Sequence, residues 1–325
     1  MRWLITGSGG QLGQCLVASV QARKNESLAG ALDHAEFDIA KPGALEGLLR
    51  TGAAGEPDVL INAAAFTAVD RCESEEALAW RVNGEAPGWL AEDCGAEGLA
   101  FVHVSTDYVF SGTDSRPYPE NGSVAPRTAY GRSKAEGERR VVDLLPEALV
   151  VRTSWVFGPG RNFVGSILRQ ARQRAAGEEG GPLRVVSDQS GSPTYAADLA
   201  EGILDLATLA FGPKAADARA EATDSDRARP REERGEMRGV FHLANSGRTT
   251  WFEFARAILD EAGYADLGIV PLATDELDLP AERPRWSVLG CERAARLGVG
   301  LRPWRDALRA YLGSASGMAL REEPV

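Results

Sequence analysis

The sequence is short of lysine. Only Lys24, Lys41, Lys134 and Lys214 occur among 36 lysines and arginines, so the basic side chains are almost all arginine. A motif that demands lysine at one position is therefore seldom met by chance. Histidine is as scarce: His34, His103 and His242 lie far apart, and no zinc-ligand spacing forms around them. No metal site is expected. The cysteines, Cys15, Cys72, Cys94 and Cys291, contain no C-x-x-C pair and are too sparse for a secreted disulfide framework. They read as buried small hydrophobes. No apolar run approaches the ~20 residues that span a bilayer. The opening Met1-Arg2-Trp3-Leu4-Ile5-Thr6-Gly7 turns glycine-rich too early for a signal-peptide core. A cytoplasmic location without membrane contact is expected. Positive charge is in deficit as well, with a formal net charge of −11. A nucleic-acid binder normally carries a basic footprint, so nucleic acid is not an expected partner.

What is present is a soluble globular composition, 44% apolar and 26% charged over 325 residues. At ~100–200 residues per domain this length suggests two domains or one large α/β unit. Strand-like apolar runs fall at 3–5, 59–61, 100–104, 149–151 and 240–243, with a weaker one at 28–32. Amphipathic stretches at 11–23, 75–94, 131–145 and 195–210 alternate with them. Such alternation predicts an α/β fold, a Rossmann-type doubly wound parallel sheet with helices on both faces. Beyond residue 155 the rhythm breaks into helices near 162–175, 251–262 and 304–312. This predicts a smaller C-terminal α/β substrate domain from about 156–194 and 245–315. The dinucleotide-binding domain would be 1–155, joined by the helix near 195–210 and a strand near 239–244. Residues 213–238 hold seven basic and seven acidic side chains and no aromatic, with Met237 the one large apolar residue. That stretch reads as a solvated, mobile insertion; a partner-binding arm is the alternative.

Three features carry chemistry. Gly7-Ser8-Gly9-Gly10-Gln11-Leu12-Gly13 follows the first strand and opens a helix. Gly7, Gly10 and Gly13 permit a tight turn, close approach to a pyrophosphate, and exposure of helix N-terminal amides to that anion. Asp33 stands 20 residues after Gly13 at the end of the weak second strand. There a carboxylate binds an adenosine ribose and disfavours a 2′-phosphate, which favours NADH; a surface turn is the alternative. Asp38 and Ile39 would frame the adenine. Finally, Tyr130-Gly131-Arg132-Ser133-Lys134 is Y-x-x-x-K. On a helix both side chains share one face, where the ammonium is expected to lower the phenol pKa toward neutrality and make Tyr130 a general acid. Lys134 can also hold ribose hydroxyls. Upstream, strand 100–104 ends in Ser105-Thr106-Asp107-Tyr108, which puts Thr106 at the crevice, ready to polarise a carbonyl.

Taken together these residues resemble the extended short-chain dehydrogenase/reductases, and within them the dTDP-4-dehydrorhamnose reductase family. The resemblance runs nearly the whole chain: Leu4 through Gly13, Asn62 to Asp70, Ser105-Thr106-Asp107-Tyr108-Val109-Phe110, Tyr130 to Lys134, Arg152 to Gly158, Asp188-Gln189 with Gly191, Pro193 and Thr194, and Arg283-Pro284. It implies that Gly10, Gln11 and Leu12 cover a cofactor pyrophosphate, and that Ala65, Phe66, Thr67 and Val104 line the cofactor channel. It further implies Thr106, Tyr130 and Lys134 as the catalytic trio, with Asp107 and Trp155 on a sugar nucleotide; a plain core aromatic is the alternative for Trp155. Arg283 is the candidate cation for the sugar-nucleotide diphosphate. Asp70 and Glu73 read equally well as helix-capping acids. The implied activity is NADPH- or NADH-dependent reduction of the C4 keto group of a dTDP-4-keto-6-deoxy-L-sugar, foremost dTDP-4-dehydro-L-rhamnose. A related substrate, as in dTDP-dihydrostreptose formation, stays open, as does a non-catalytic regulatory subunit of the same fold. Some family members carry a glutamate in the first helix as part of a magnesium-linked dimer contact; here that stretch is Gln14-Cys15, which speaks against a metal-bridged dimer. The expected state is therefore monomer or homodimer, without metal.

Overall fold

We describe the chain from a computed structural model, over residues 1–178, 180–213 and 237–322. In chain order the first elements are β1 Arg2–Thr6, α1 Gln11–Ala22, β2 Ser27–Leu32, α2 Ala44–Arg50 and β3 Val59–Asn62. Then come α3 Val69–Ser74, α4 Glu76–Ala79, α5 Ala86–Glu97, β4 Ala100–Thr106, α6 Ala129–Leu144 and β5 Leu149–Thr153. The second half holds β6 Val156–Phe157, α7 Phe163–Ala175, β7 Leu183–Val186, β8 Ser190–Gly191, β9 Thr194–Tyr195, α8 Ala196–Phe211 and β10 Gly239–His242. It continues through β11 Thr249–Thr250, α9 Trp251–Ala262, β12 Ile269–Leu272, α10 Glu292–Arg296, α11 Trp304–Leu312 and α12 Ala315–Glu322.

Six strands form one parallel sheet in the order β10-β5-β4-β3-β1-β2. The strand order reverses between β1 and β3, and in open α/β sheets ligands bind beyond the carboxyl ends of the strands at such a point. Buried residues alternate between the two faces. Trp3, Ile5, Val59, Ile61, Val102, Leu149 and Val151 pack with α1 and α8 on one side. Leu4, Leu60, Phe101 and Val150 pack with α2, α5 and α6 on the other. A strand covered on both faces reads as an unbroken apolar run, which is why these strands stand out in the sequence. The weak β2 is the sheet edge and only half-buried.

A second core gathers Phe157, Leu168, Phe254, Leu308 and Tyr311 from α7, α9 and α11, with β7 and β12 paired in parallel beside it. Around it β6 pairs with β9 and β8 with β11 over two residues each. Such two-residue strands carry no period for a sequence pattern to show.

The single helix expected over 75–94 is interrupted. α4 gives way to a π-helical turn at Trp80–Glu85 before α5 resumes. Pro87, in the first turn of α5, has no N–H to donate to the carbonyl of Asn83, so the α-helical ladder cannot run through. The freed carbonyl is covered by α6: a Cβ at Gly137 would sit 2.2 Å from Asn83 O. Of the 213–238 stretch, residues 214–236 lie outside the described residues; Met237 packs against the first core and Arg238 pairs with Glu147. No helix among the described residues is long and apolar enough to cross a membrane.

Candidate active site

At the end of β1 the chain turns at Gly7, with φ +74°. A Cβ on Gly7 would lie 2.6 Å from Ala64 N, and one on Gly13 only 2.1 Å from Gly7 O. Both glycines are thus required for α1 to start hard against the ends of β1 and β3. The first turn of α1 holds no acid and its N-cap, Gly10, supplies no side-chain cap, so its amides are left for another acceptor.

These amides open onto a cleft of about 860 Å³ that runs from Gly10, Gln11, Leu12 and Gly13 past Ala65, Thr67 and Val104. It continues to Thr106, Asp107, Tyr130 and Lys134, and ends among Trp155, Phe163, Trp251, Gln189 and Arg283. Gln11 Oε1, Ser105 Oγ and Thr153 Oγ1 are buried on its walls without a protein hydrogen-bond partner. Buried polar atoms in that condition mark where a polar ligand completes the site. The glycine cradle, the uncapped helix start and these atoms fit a dinucleotide.

Five candidate residues stand apart from the cleft wall. Gly7 lies behind it, as the packing contact just described. Phe66 packs with Cys72 and Tyr130, and both its backbone N–H and C=O are held by the Asn83 amide of the π turn, at 2.8 and 3.0 Å. Ile39 is 5% exposed in the core below α2, and Asp38 is turned to the Ala40 amide. Asp33 stands beside Gly9, whose Cβ would be 3.6 Å from it, with Oδ1 accepting from Ala35 N and Glu36 N. It is a turn residue, yet one placed at the carboxyl end of β2 next to the glycine turn.

The trio converges from two elements. β4 delivers Thr106, and α6, capped by Thr128, delivers Tyr130 and Lys134 on its buried face. Glu73, read in the sequence as a capping acid, caps α6 from outside by accepting from Ala129 N at 2.9 Å. The Tyr130 phenol lies beside Thr106, and Thr106 donates to Asp107 Oδ1 at 2.9 Å. The expected lowering of the tyrosine pKa is not met. Burial pushes it upward, and the Lys134 amino group is directed elsewhere, to Val104 O at 2.7 Å and His103 Nε2 at 3.2 Å. Burial in turn brings Lys134 down to about 8. Tyr130 therefore keeps its proton at neutral pH, which is the form that can donate one.

Burial also raises the Asp107 carboxyl to about 6, despite the hydrogen bond from Thr106. A carboxyl raised from 3.8 in the unfolded chain costs stability once ionised: its contribution is intact below pH 4 and lost as pH rises through 6. The Asp107→Asn variant is expected to melt above the parent at pH 8, by at most roughly 3 kcal/mol, and to show no advantage at pH 4. Thermal unfolding at the two pH values checks this.

Trp155 takes φ +48°, and no other non-glycine described residue has positive φ. It stacks on Trp251 at 3.6 Å and 8°, and Gly191 leaves room for its ring, since a Cβ there would lie 2.3 Å away. It is half-buried and exposed to the cleft rather than a core aromatic. Arg283 is engaged already: Nη2 meets Asp70 Oδ2 at 2.6 Å and Nη1 meets Ala281 O. Asp70 thus ties down the C-terminal segment instead of capping its helix, accepting from Ala281 N as well. The sequence reading missed Asn83, Ser287, Phe163 and Trp251; none carries a local motif, and only the fold brings them to the site. Among the described residues no group of three His, Cys, Asp or Glu side chains could hold a metal ion.

The chain is similar to known proteins over nearly its whole length. The family model for the RmlD substrate binding domain matches residues 1–316. A dTDP-4-dehydrorhamnose reductase of Mycobacterium tuberculosis is 39% identical over 96% of this chain and 93% of its own. A probable dTDP-4,6-dihydroxy-2-methyloxan-3-one 4-ketoreductase of Streptomyces antibioticus is 39% identical over 95% and 94%. The crystal structure of a dTDP-4-dehydrorhamnose reductase from Bacillus anthracis strain Ames in complex with NADP superposes with a TM-score of 0.78, at 29% identity, covering 96% of this chain and 98% of that one. The chain belongs to the dTDP-4-dehydrorhamnose reductase family, of Rossmann-type fold.

Proposed function

We propose that the protein reduces the C4 keto group of a dTDP-4-keto-6-deoxy-L-sugar, foremost dTDP-4-dehydro-L-rhamnose, with NADPH or NADH. The observation that carries this reading is the convergence of Thr106, Tyr130 and Lys134 on one cleft that starts at the glycine turn. When bound, the nicotinamide cofactor supplies the hydride. The amides of Gly10, Gln11 and Leu12 bind its pyrophosphate, and Asp33 takes the adenosine ribose, with Asp38 and Ile39 shaping the ground behind it. Ala65, Thr67 and Val104 flank the channel, and Phe66 supports it from behind. Tyr130, held protonated by burial, gives its proton to the alkoxide oxygen at C4. Thr106, beside that phenol, fixes Asp107 by its hydrogen bond. Lys134 holds ribose hydroxyls and steadies the phenol face of α6. Trp155 offers a flat apolar surface to the sugar, and Asp107 accepts from its hydroxyls. Arg283 exchanges Asp70 for the sugar-nucleotide diphosphate. The free thiols of Cys15, Cys72, Cys94 and Cys291 fit a reducing, cytoplasmic setting. The protein works as a monomer or homodimer, without nucleic acid.

The purified protein, assayed with a panel of dTDP-linked 4-keto sugars, is expected to oxidise NADPH fastest with dTDP-4-dehydro-L-rhamnose. Oxidation with none of them would overturn the proposal. A faster rate with another member would favour a second reading, a related dTDP-4-keto sugar, for which the Streptomyces antibioticus relative speaks. Asp33 sets a further expectation. Asp33→Asn removes the charge that repels a 2′-phosphate, so the ratio of kcat/KM for NADPH over NADH should rise about tenfold, ~1.4 kcal/mol.

A further inference from the structure

Behind the trio runs a chain of polar groups that the reduction does not use. Thr6 Oγ1 donates to Asn62 Oδ1 at 2.8 Å, Asn62 Nδ2 meets His103 Nδ1 at 3.2 Å, and His103 Nε2 meets Lys134 Nζ at 3.2 Å. All four residues are at most 2% exposed. Asn62 Oδ1 also accepts from Ala64 N at 3.2 Å, and a backbone N–H can only donate. That contact fixes the amide: its oxygen faces Ala64, so its NH₂ faces His103 Nδ1. The Nδ1 atom is then an acceptor, and in a neutral ring the proton must sit on Nε2, pointing at Lys134 Nζ. An ammonium has no lone pair to receive it. The ring itself stays neutral, because burial and Lys134 press its basicity well below the ordinary histidine value. So the arrangement is satisfied throughout only when Lys134 is a free amine. If Lys134 is charged, Nε2 must accept, Nδ1 must donate, and the Asn62 amide must turn over, which deprives Ala64 N–H of its acceptor.

We propose that His103 is a positioning residue for Lys134: its ring carries the proton on Nε2 while Lys134 is an uncharged amine and on Nδ1 once Lys134 is charged, with the Asn62 amide turning over in step. The inference rests on Lys134 belonging to the reductive site. The lysine takes one proton from solvent, and the ring holds one proton before and after. Both charge states of Lys134 are within reach near neutrality, since burial brings it to about 8. Of the other charged or titratable groups around it, Asp107, raised by burial to about 6, titrates below Lys134, and the rest are partnered or neutral. On α6 itself Glu138 is paired with Arg152 of β5, and Tyr130 is held protonated. Past the end of β4, Asp107 accepts from Thr106 and Tyr108 is pushed up by burial. On α3, Cys72 is pushed up to about 11 and Glu73 caps α6; on α4, Glu76 is paired with Arg132. His103 is the switchable neighbour in direct contact with the Lys134 amino group. Through Asn62 it ties the lysine charge to Ala64, which packs over Gly7 between the cleft residues Ala63 and Ala65.

The test needs neither substrate nor cofactor. In the full chain labelled with ¹⁵N at its three histidines and four lysines, long-range ¹H–¹⁵N spectra report each ring tautomer, and the lysine Nζ signals report charge. The Lys134 signal is the one lost in Lys134→Met. One ring is expected to change from Nε2–H to Nδ1–H as pH falls through the Lys134 titration, with the same midpoint and without becoming doubly protonated. In Lys134→Met that ring should keep Nε2–H at every pH. A tautomer that stays constant through the lysine titration in the parent protein, or an imidazolium in its place, would overturn the proposal. A failed reductase assay with a successful tautomer switch would instead remove the function and keep the coupling.

Discussion

Tyr130→Phe is expected to lower kcat by about 10²–10⁴-fold, the usual worth of a positioned general acid. Cofactor affinity should stay within twofold. The substitution removes one oxygen and keeps the ring, which is 8% exposed and meets Tyr108 edge-on at 5.5 Å. The packing with Cys72 and Ala129 is retained, so the fold holds. What disappears is the phenol proton, which burial keeps in place at neutral pH. Because the lost interaction matters only as charge develops on the substrate oxygen, kcat and kcat/KM should fall together. Single-turnover kinetics with cofactor binding measured by fluorescence would show this. A kcat within tenfold of the parent would move proton donation away from Tyr130.

The largest effect on stability is expected from Glu138→Gln, at about 3–5 kcal/mol. Glu138 lies one turn beyond Lys134 on α6 and meets Arg152 of β5 through Nε at 2.9 and 3.1 Å and Nη2 at 2.6 Å. Both side chains are nearly sealed, 6% and 4% exposed. The guanidinium also donates to Glu120 O and lies 4.9 Å over the Phe110 ring. The neighbouring His242 cannot share the charge, since burial and Arg152 push it down to about 3. Neutralising Glu138 therefore strands a buried cation. Replacing both partners by apolar residues of similar volume, Glu138→Leu with Arg152→Met, should recover most of the loss. Urea unfolding midpoints of the single and double variants test the point. A single variant within 1 kcal/mol of the parent would show that the pair is not what pins α6 to the sheet.

Much of the architecture could be read in the sequence because its signals are local. The strands of the parallel sheet are covered on both faces and so appear as short apolar runs, and the glycine turn and Tyr130–Lys134 are set by spacing within a few residues. What escaped reading depends on long-range contact or on burial. Asp70 meets Arg283 across 213 residues, so its role as a tether could not be told from that of a cap. Glu73 caps a helix 56 residues away. The two-residue strands near Trp155 have no pattern to detect. The pull expected of Lys134 on Tyr130 rested on charge alone; the fold buries both and directs the lysine amino group to Val104 and His103, reversing the sign. Phe66 and Ile39, expected at the cofactor, are turned off the cleft wall by packing, Phe66 with Cys72 and Tyr130 and Ile39 in the core with Leu45.

The central claim is that this cleft moves hydride to the C4 carbon of a dTDP-linked 4-keto sugar. The most direct measurement supplies NADPH deuterated at both C4 positions of the nicotinamide, with dTDP-4-dehydro-L-rhamnose, and reads the product by NMR. The account predicts one deuterium at sugar C4 per cofactor oxidised, in the parent protein and at a much lower rate in Tyr130→Phe. Cofactor oxidation with protium at C4, or deuterium at any other sugar carbon, would contradict it.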